Sequence, residues 1–154
     1  METIEAKTIV GIAKRIDPTL PEVEREIAAH WENFYQLDIR EKILDKKEPD
    51  VYAVYCDYAG IFENAYTLVL GCDVKELVQE IPEGMVALLI PPATYERFTA
   101  EGEFPRCLID TWQTIWKKNL NRTYQYDFEM YGPNFYKEPQ VVEVYVGINP
   151  LSSI

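Results

Sequence analysis

The sequence predicts an α+β domain made of two strand–helix–strand–strand repeats, about residues 1–80 and 84–150. Three observations support this. Runs of β-branched and aromatic residues alternate with two stretches of helical periodicity, the same order of elements occurs twice, and the two helical stretches carry similar cores. One helix per repeat can cover one face of a sheet. We therefore expect pseudo-two-fold symmetry, an antiparallel sheet, two main helices and a central ligand groove where the repeats meet.

The first repeat is predicted to contain three strands and one helix. Its first strand runs from Thr3 to Ile16 and ends at two prolines. A helix follows from about Pro21 to Ile39, because proline suits the first turn and apolar residues then recur at helical spacing. The strands Val51–Tyr58 and Ala65–Val74 are expected to form a hairpin around a turn at residues 59–64.

The second repeat follows the same order. The apolar stretch Met85–Ile90 is interrupted by two prolines, and a strand resumes over Ala93–Ala100. A helix is predicted from Phe104 to about Asn119, with an apolar stripe on one side and lysines at its C-terminal end. The strands Thr123–Tyr131 and Val141–Ile148 then form the closing hairpin.

The two predicted helices share a core pattern. Residues 30–34 read His-Trp-Glu-Asn-Phe, and residues 111–115 read Thr-Trp-Gln-Thr-Ile. The tryptophans Trp31 and Trp112 therefore occupy matching positions. This similarity supports a repeated unit.

Composition limits the classes of function. The 154 residues are enough for one domain, 1–154, to bury a core without disulfides or a metal, and a hydrophobic content of 47% argues against disorder. The net charge of −11 argues against direct nucleic-acid binding and favours the approach of cations. An acidic surface also serves solubility alone.

The remaining sequence signals predict a cytoplasmic protein without a cofactor or a metal. The three cysteines form no C-x-x-C pair, the first residues lack a signal-peptide pattern, and no apolar run is long enough to span a membrane. His30 is the one histidine, so the chain has too few histidine ligands for a histidine-based metal site or for haem. The sequence also contains no phosphate-binding motif. We interpret His30 as an ordinary helix histidine and Cys107 as a small core residue.

The segment Tyr124–Tyr131 is the most informative part of the chain. It sets Asp127 and Glu129 among four aromatic residues, and a carboxylate among rings is costly to desolvate unless a cation comes to it. The segment also alternates, with Tyr124, Tyr126, Phe128 and Met130 on one face of a strand and Gln125, Asp127, Glu129 and Tyr131 on the other. Periodicity alone favours a water-facing Glu129, and a receptor for an organic cation is the alternative.

Other candidate residues have open interpretations. Glu143 lies on the strand expected to pair with that of Glu129, and the register decides whether the two carboxylates face each other. Trp112 and Trp116 are interpreted as core residues rather than as ligand platforms.

Several stretches together resemble a known family. The chain resembles the effector-binding domains of multidrug-responsive bacterial regulators, which are grouped with gyrase-inhibitory-protein-like small-molecule-binding domains. The resemblance covers nearly the whole chain and rests on the order and spacing of loose patterns. These are Ala93–Phe98 followed by Gly102, the helix around Trp112, Phe128–Tyr131 and Val142–Val146.

The resemblance implies binding of lipophilic organic cations in an aromatic pocket. Glu129 matches the pocket glutamate, Glu143 a second acidic position, and Trp112 an aromatic residue of the helix. Tyr55 and Phe104 are added from their placement, and Tyr145 as a further stacking ring. No helix-turn-helix segment flanks the matched region. We therefore expect a free-standing binding or sequestering protein, and a homodimer stays open.

Three other functions stay open. A hydrolase would use Glu129 as a general base. An acidic protein-interaction module would restrain a topoisomerase. A haem-carrying protein of related architecture is the least favoured, because the chain has one histidine.

Overall fold

The computed structural model describes residues 1–59, 65–75 and 80–150. Eight strands form one curled antiparallel sheet, a half-barrel, with two main helices on one face. The elements are, in chain order, β1 (Glu2–Ile4), β2 (Lys7–Ile16), α1 (Val23–Gln36), α2 (Ile39–Lys42), β3 (Val51–Cys56), β4 (Tyr66–Asp73), β5 (Val86–Ile90), β6 (Ala93–Gly102), α3 (Arg106–Lys117), β7 (Arg122–Tyr131), the 3-10 helix Pro133–Tyr136 and β8 (Gln140–Ile148).

The predicted α+β architecture is confirmed, and two boundaries differ from the prediction. The first predicted strand is two strands, because β1 pairs with β6 whereas β2 pairs with β4 and β5. The first predicted helix stops at Gln36, since Asp38 has a φ of 52°, which a right-handed helix cannot contain. Most of the predicted turn at residues 59–64 lies outside the described residues.

The two repeats exchange their first strands. The strand order is β1-β6-β8-β7-β3-β4-β2-β5, so the first strand of each repeat completes the sheet of the other, and β3 pairs with β7 at the centre. Ile4 and Lys7 are three residues apart, as are Ile90 and Ala93, so each pair is at most about 11 Å apart. These short links draw the two edges of the sheet together and curl it.

The curl gives the sheet two different faces. Its inner face buries a cluster to which all eight strands contribute. One member from each strand, in chain order, is Ile4, Ile9, Tyr52, Val69, Ile90, Tyr95, Phe128 and Tyr145. The other face, here the helix face, is covered by α1 and α3, whose buried side chains include Phe34 and Ile115. Within the described residues, none of the helices has the length and apolarity of a membrane span.

Candidate ligand-binding site

Glu129 lies on the helix face at the centre of the sheet. In β7 it stands opposite Ala53 of β3 and Val144 of β8, where the two repeats meet. Its side chain is only 1% exposed. The alternation of this segment predicts its neighbours correctly, because Tyr126, Phe128 and Met130 all belong to the inner-face cluster. The water-facing interpretation of Glu129 is wrong, because α3 covers its face.

Three neutral side chains from three different elements bond the Glu129 carboxylate. The Tyr55 hydroxyl of β3 and the Trp112 indole N–H of α3 each donate to Oε2, at 2.8 Å. The Tyr131 hydroxyl of β7 donates to Oε1 at 2.7 Å. The carboxylate is therefore hydrogen-bonded but not neutralised by these partners.

Glu129 forms no salt bridge within the described residues, and the segments outside them contain no Lys, Arg or His. Burial raises the pKa of Glu129 above its ordinary value, and the hydrogen bonds from Tyr131, Trp112 and Tyr55 only partly oppose that rise. A buried carboxylate without a cation is unusual, because charges in protein interiors are normally paired.

One group of rings, which we call the Tyr55 wall, flanks the Oε2 side of the carboxylate. The Tyr55 ring lies 5.6 Å from Trp112 and 5.3 Å from Tyr66, between ring centroids. Trp112 in turn lies 6.3 Å from Trp116. Burial, followed by the charge of Glu129, raises the pKa of Tyr66 to about 12, which indicates that the field of the carboxylate reaches this ring.

A second group, the Tyr131 wall, flanks the Oε1 side. The Tyr131 ring makes edge-on contacts with three others, at 5.0 Å from Trp31, 5.1 Å from Phe135 and 6.0 Å from Phe104 between ring centroids. Phe104 and Phe135 also contact each other at 4.9 Å. The carboxylate thus lies between two aromatic surfaces.

Three of the six predicted site residues meet at this carboxylate: Glu129 itself, Trp112 and Tyr55. A fourth, Phe104, lies one ring further out, 6.0 Å from Tyr131 between ring centroids. The structure does not bring Tyr145 or Glu143 to it. Tyr145 stacks on Phe128 at 4.7 Å within the inner-face cluster. Glu143 pairs with Met130 in register and accepts hydrogen bonds from Thr99. Ligand contacts of Tyr145 and Glu143 stay untested predictions, and the site on which the proposals below rest does not include these two residues.

Sequence reasoning omitted other rings of the two walls. Trp31, Tyr66, Tyr131 and Phe135 were not among the predicted site residues. The matching helix cores are the signal that could have found Trp31, because its counterpart Trp112 was selected. The interpretation of Trp116 as a core residue is wrong, because its side chain is 66% exposed.

Asp127 has a different environment from Glu129. It is fully buried and lies 2.7 Å from Arg122 Nη2. It also accepts hydrogen bonds from the Tyr58 hydroxyl and from the Gly147 backbone N–H, the latter at 2.8 Å. Asp127 is therefore a paired, structural carboxylate, and Glu129 is the unpaired one of the segment.

The single histidine has structural contacts. His30 is 4% exposed, and its Nε2 lies 3.0 Å from the Leu68 carbonyl oxygen beneath α1. Burial lowers its pKa. Cys107 is buried, as predicted, and so are the free cysteines Cys56 and Cys72. Within the described ranges, His, Cys, Asp and Glu side chains form no group of three that could hold a metal ion.

A separate cavity of about 720 Å³ opens beside the C-terminal end of β3 and the N-terminal part of β5. Its lining includes neither Glu129 nor any ring of the Tyr55 wall or the Tyr131 wall. Its lining consists of Ala13, Cys56, Asp57, Tyr58, Thr67, Val69, Val86, Ala87, Leu88, Pro91, Tyr124, Gln125 and Tyr126.

A match to a known family assigns this fold, with its ring-enclosed carboxylate at the junction of the two repeats, to the effector-binding proteins. The chain belongs to the Cass2 family of integron-associated effector binding proteins, whose pattern matches residues 1–148. YobU, a candidate transcriptional regulator of Bacillus subtilis (strain 168), is 28% identical over 152 residues, or 94% of each chain.

Solved structures share the fold. An integron cassette protein from the mobile metagenome of Vibrio cholerae has a TM-score of 0.73 at 26% identity, covering 96% of this chain and 94% of its own. SAV2435 bound to tetraphenylphosphonium has a TM-score of 0.77 at 13% identity, covering 96% of this chain and 92% of its own.

Proposed function

We propose that this protein binds lipophilic organic cations, with Glu129 neutralising the charge of the ligand. The observation that carries the proposal is a carboxylate only 1% exposed that has three neutral hydrogen-bond donors and no salt bridge within the described chain. A cation that comes next to such a group gains an attraction that a low-dielectric environment strengthens. Aromatic faces on both sides add cation–π attraction.

Two further facts support this function. The family consists of effector binding proteins, and the related fold of SAV2435 holds tetraphenylphosphonium. The net charge of −11 favours the approach of cations to the whole molecule. Within this proposal the rings of Tyr55, Trp112, Tyr131 and Phe104 provide the contact surface for the apolar part of the ligand.

Titration with tetraphenylphosphonium, followed by tryptophan fluorescence, tests the proposal. We expect saturable binding, because Trp112 and Trp31 belong to the walls. The substitution Glu129→Gln removes the charge and keeps the shape, so it should weaken binding by about tenfold or more. Equal affinity of Glu129→Gln and the parent would show that the charge-neutralising role is wrong.

The matched control is Glu143→Gln. The two substitutions change the same functional group, but Glu143 lies beside Thr99 and Arg97 rather than at the ring-enclosed carboxylate. We expect Glu143→Gln to keep the parental affinity. A loss similar to that of Glu129→Gln would restore Glu143 to the binding site, or would indicate a nonspecific effect of negative charge.

A second candidate function is hydrolysis with Glu129 as a general base. The observation that favours it is the raised pKa of this carboxyl, which burial brings closer to the range of effective bases. Incubation of the protein with reactive electrophilic small molecules, followed by mass spectrometry, distinguishes turnover from stoichiometric binding. Product in excess of protein that disappears in Glu129→Gln would establish the hydrolase.

A further inference from the structure

The residues around Glu129 repeat about the junction of the two units. Ala53 of β3 and Glu129 of β7 stand opposite each other in antiparallel register. Tyr55 lies two residues beyond Ala53, and Tyr131 lies two residues beyond Glu129. Because the strands run in opposite directions, the two tyrosines lie diagonally on either side of this pair. Their hydroxyls donate to different oxygens of the carboxylate.

The helices continue this symmetry in a crossed manner. Trp112 of α3 packs against Tyr55 at 5.6 Å, and Trp31 of α1 packs against Tyr131 at 5.0 Å. Each tryptophan is then followed by an exposed ring one helical turn later. Tyr35 lies 6.0 Å from Trp31 and is 49% exposed, whereas Trp116 lies 6.3 Å from Trp112 and is 66% exposed.

Two similar ladders of rings therefore lead from solvent to the carboxylate, one on each side. A cation bound at Glu129 has an aromatic surface on both flanks. A ligand with one aromatic group would use a single ladder, and a ligand with aromatic groups on two sides of its charge would use both. Each aromatic contact contributes attraction beyond the burial of its area.

The hydrogen bonds of the carboxylate break this symmetry. Oε2 accepts from both Tyr55 and Trp112, whereas Oε1 accepts from Tyr131 alone within the described residues. Trp31, the counterpart of Trp112, packs edgewise on Tyr131 at an interplanar angle of 72°. An ionised carboxylate can accept about four hydrogen bonds. Oε1 therefore retains the capacity to accept one further hydrogen bond.

We infer that the preferred ligands are protonated amines that carry aromatic groups on two sides of the nitrogen and donate their N–H to Oε1 of Glu129. This inference rests on the proposed function and narrows it to one chemical class. A quaternary ammonium or phosphonium ion has the charge but no N–H. It binds by electrostatic attraction and ring contact alone.

Four probes at neutral pH separate these contributions. N-methyldibenzylamine, in its protonated form, has two rings and one N–H. Dibenzyldimethylammonium has the same rings and no N–H, benzylhexylmethylamine exchanges one ring for an alkyl chain, and benzyldimethylamine lacks the second arm. Calorimetric titration should rank N-methyldibenzylamine first. We expect it to exceed the quaternary probe by about tenfold or more, because charge-assisted hydrogen bonds are among the strong ones.

The second arm is tested by comparing the ring with the alkyl chain. We expect N-methyldibenzylamine to bind about three- to tenfold more tightly than benzylhexylmethylamine. The variants Trp31→Leu and Trp112→Leu each remove one ring from one ladder. In both variants we expect N-methyldibenzylamine and benzylhexylmethylamine to bind with similar affinity. Far-ultraviolet circular dichroism of each variant confirms that the comparison concerns folded protein.

The outcomes distinguish the inference from the function on which it rests. If the quaternary probe or the one-ring probe binds as tightly as N-methyldibenzylamine, and Glu129→Gln weakens all of them, this inference is wrong and the cation-binding function stands. The proposed function itself fails if neither the four probes nor tetraphenylphosphonium binds. It also fails if Glu129→Gln binds every one of these cations as tightly as the parent protein does.

Discussion

Asp127 and Glu129 are two residues apart in one strand, and their surroundings give them opposite roles. Asp127 has a guanidinium 2.7 Å away and a backbone N–H at 2.8 Å, so its charge is satisfied internally. In the part of the chain that the structure describes, the Glu129 carboxylate accepts hydrogen bonds only from phenol and indole groups. Burial favours the neutral form of an acid, and neutral donors offset that preference only in part. The unpaired residue is therefore the one available to an external cation.

The raised pKa of Glu129 predicts a specific dependence of stability on pH. The folded protein holds the proton of this carboxyl more tightly than the unfolded chain does. The resulting stabilisation is complete below the ordinary glutamate pKa of 4.5 and is lost as pH rises through the higher folded-state pKa. Glu129→Gln has no such proton to lose, so its stability relative to the parent should increase across that interval.

Urea unfolding of the parent and of Glu129→Gln, in a series of buffers from acidic to neutral pH, measures this effect. The difference in the free energy of unfolding should change by at most about 1.4 kcal/mol per pH unit, which is the limit for one proton. A difference that stays constant over the series would contradict a raised pKa. Saturating cation should reduce the effect, because the ligand favours the ionised carboxylate.

At the scale of elements, β7 contains a β-bulge just before its two carboxylates, Asp127 and Glu129. The register between β7 and β8 shifts between Arg122 and Asp127, and Tyr124 has a φ of 56°, in the left-handed region. Gly147 of β8 allows the close approach, because a Cβ there would lie 2.6 Å from the Tyr126 carbonyl oxygen. The buried Asp127 connects both sides of this bulge through Arg122 and the Gly147 N–H.

We predict that Asp127→Asn destabilises the protein by about 3–5 kcal/mol, because it leaves Arg122 buried without its charged partner. Chemical denaturation measures the loss. The matched control is Asp57→Asn, which makes the same change in a carboxylate that is 82% exposed and 3.3 Å from Arg15. Loss of that exposed pair should lower the free energy of unfolding by at most about 1 kcal/mol. Similar losses in both variants would show that Asp127 does not hold the bulge.

At the scale of the whole molecule, neither repeat is complete without the other. β1 pairs with β6 and β5 pairs with β2, so each repeat lends its first strand to its neighbour. The inner-face cluster draws on all eight strands. The candidate site is shared in the same way, since Trp112 of the second repeat packs on Tyr55 of the first.

This exchange predicts that the chain unfolds as one cooperative unit. Circular dichroism, which follows the whole sheet, and tryptophan fluorescence, which follows α1 and α3, should give the same midpoint in urea. A fragment of residues 1–80 should show no cooperative transition, because it lacks the partners of β1 and β3. Two separated transitions, or a folded fragment, would indicate two independent domains.

The sequence was sufficient for the architecture because local signals agree with the global fold. Period-2 and helical patterns identified the strands and both main helices, and the order of elements revealed the repeat. It was not sufficient for the break at Asp38 or for the division between β1 and β2. The former depends on a left-handed residue, and the latter on which strand each segment pairs with.

By itself, the sequence determined the α+β class, the two repeats and a strand that sets carboxylates among aromatic residues. Only the tertiary structure decided that Glu129 is buried and Asp127 is paired, and that Glu143 and Tyr145 lie away from Glu129. The physical reason is that alternation assigns residues to faces but does not say which face a helix covers. Burial and charge pairing depend on contacts between residues far apart in the chain, such as Tyr55, Trp112 and Glu129.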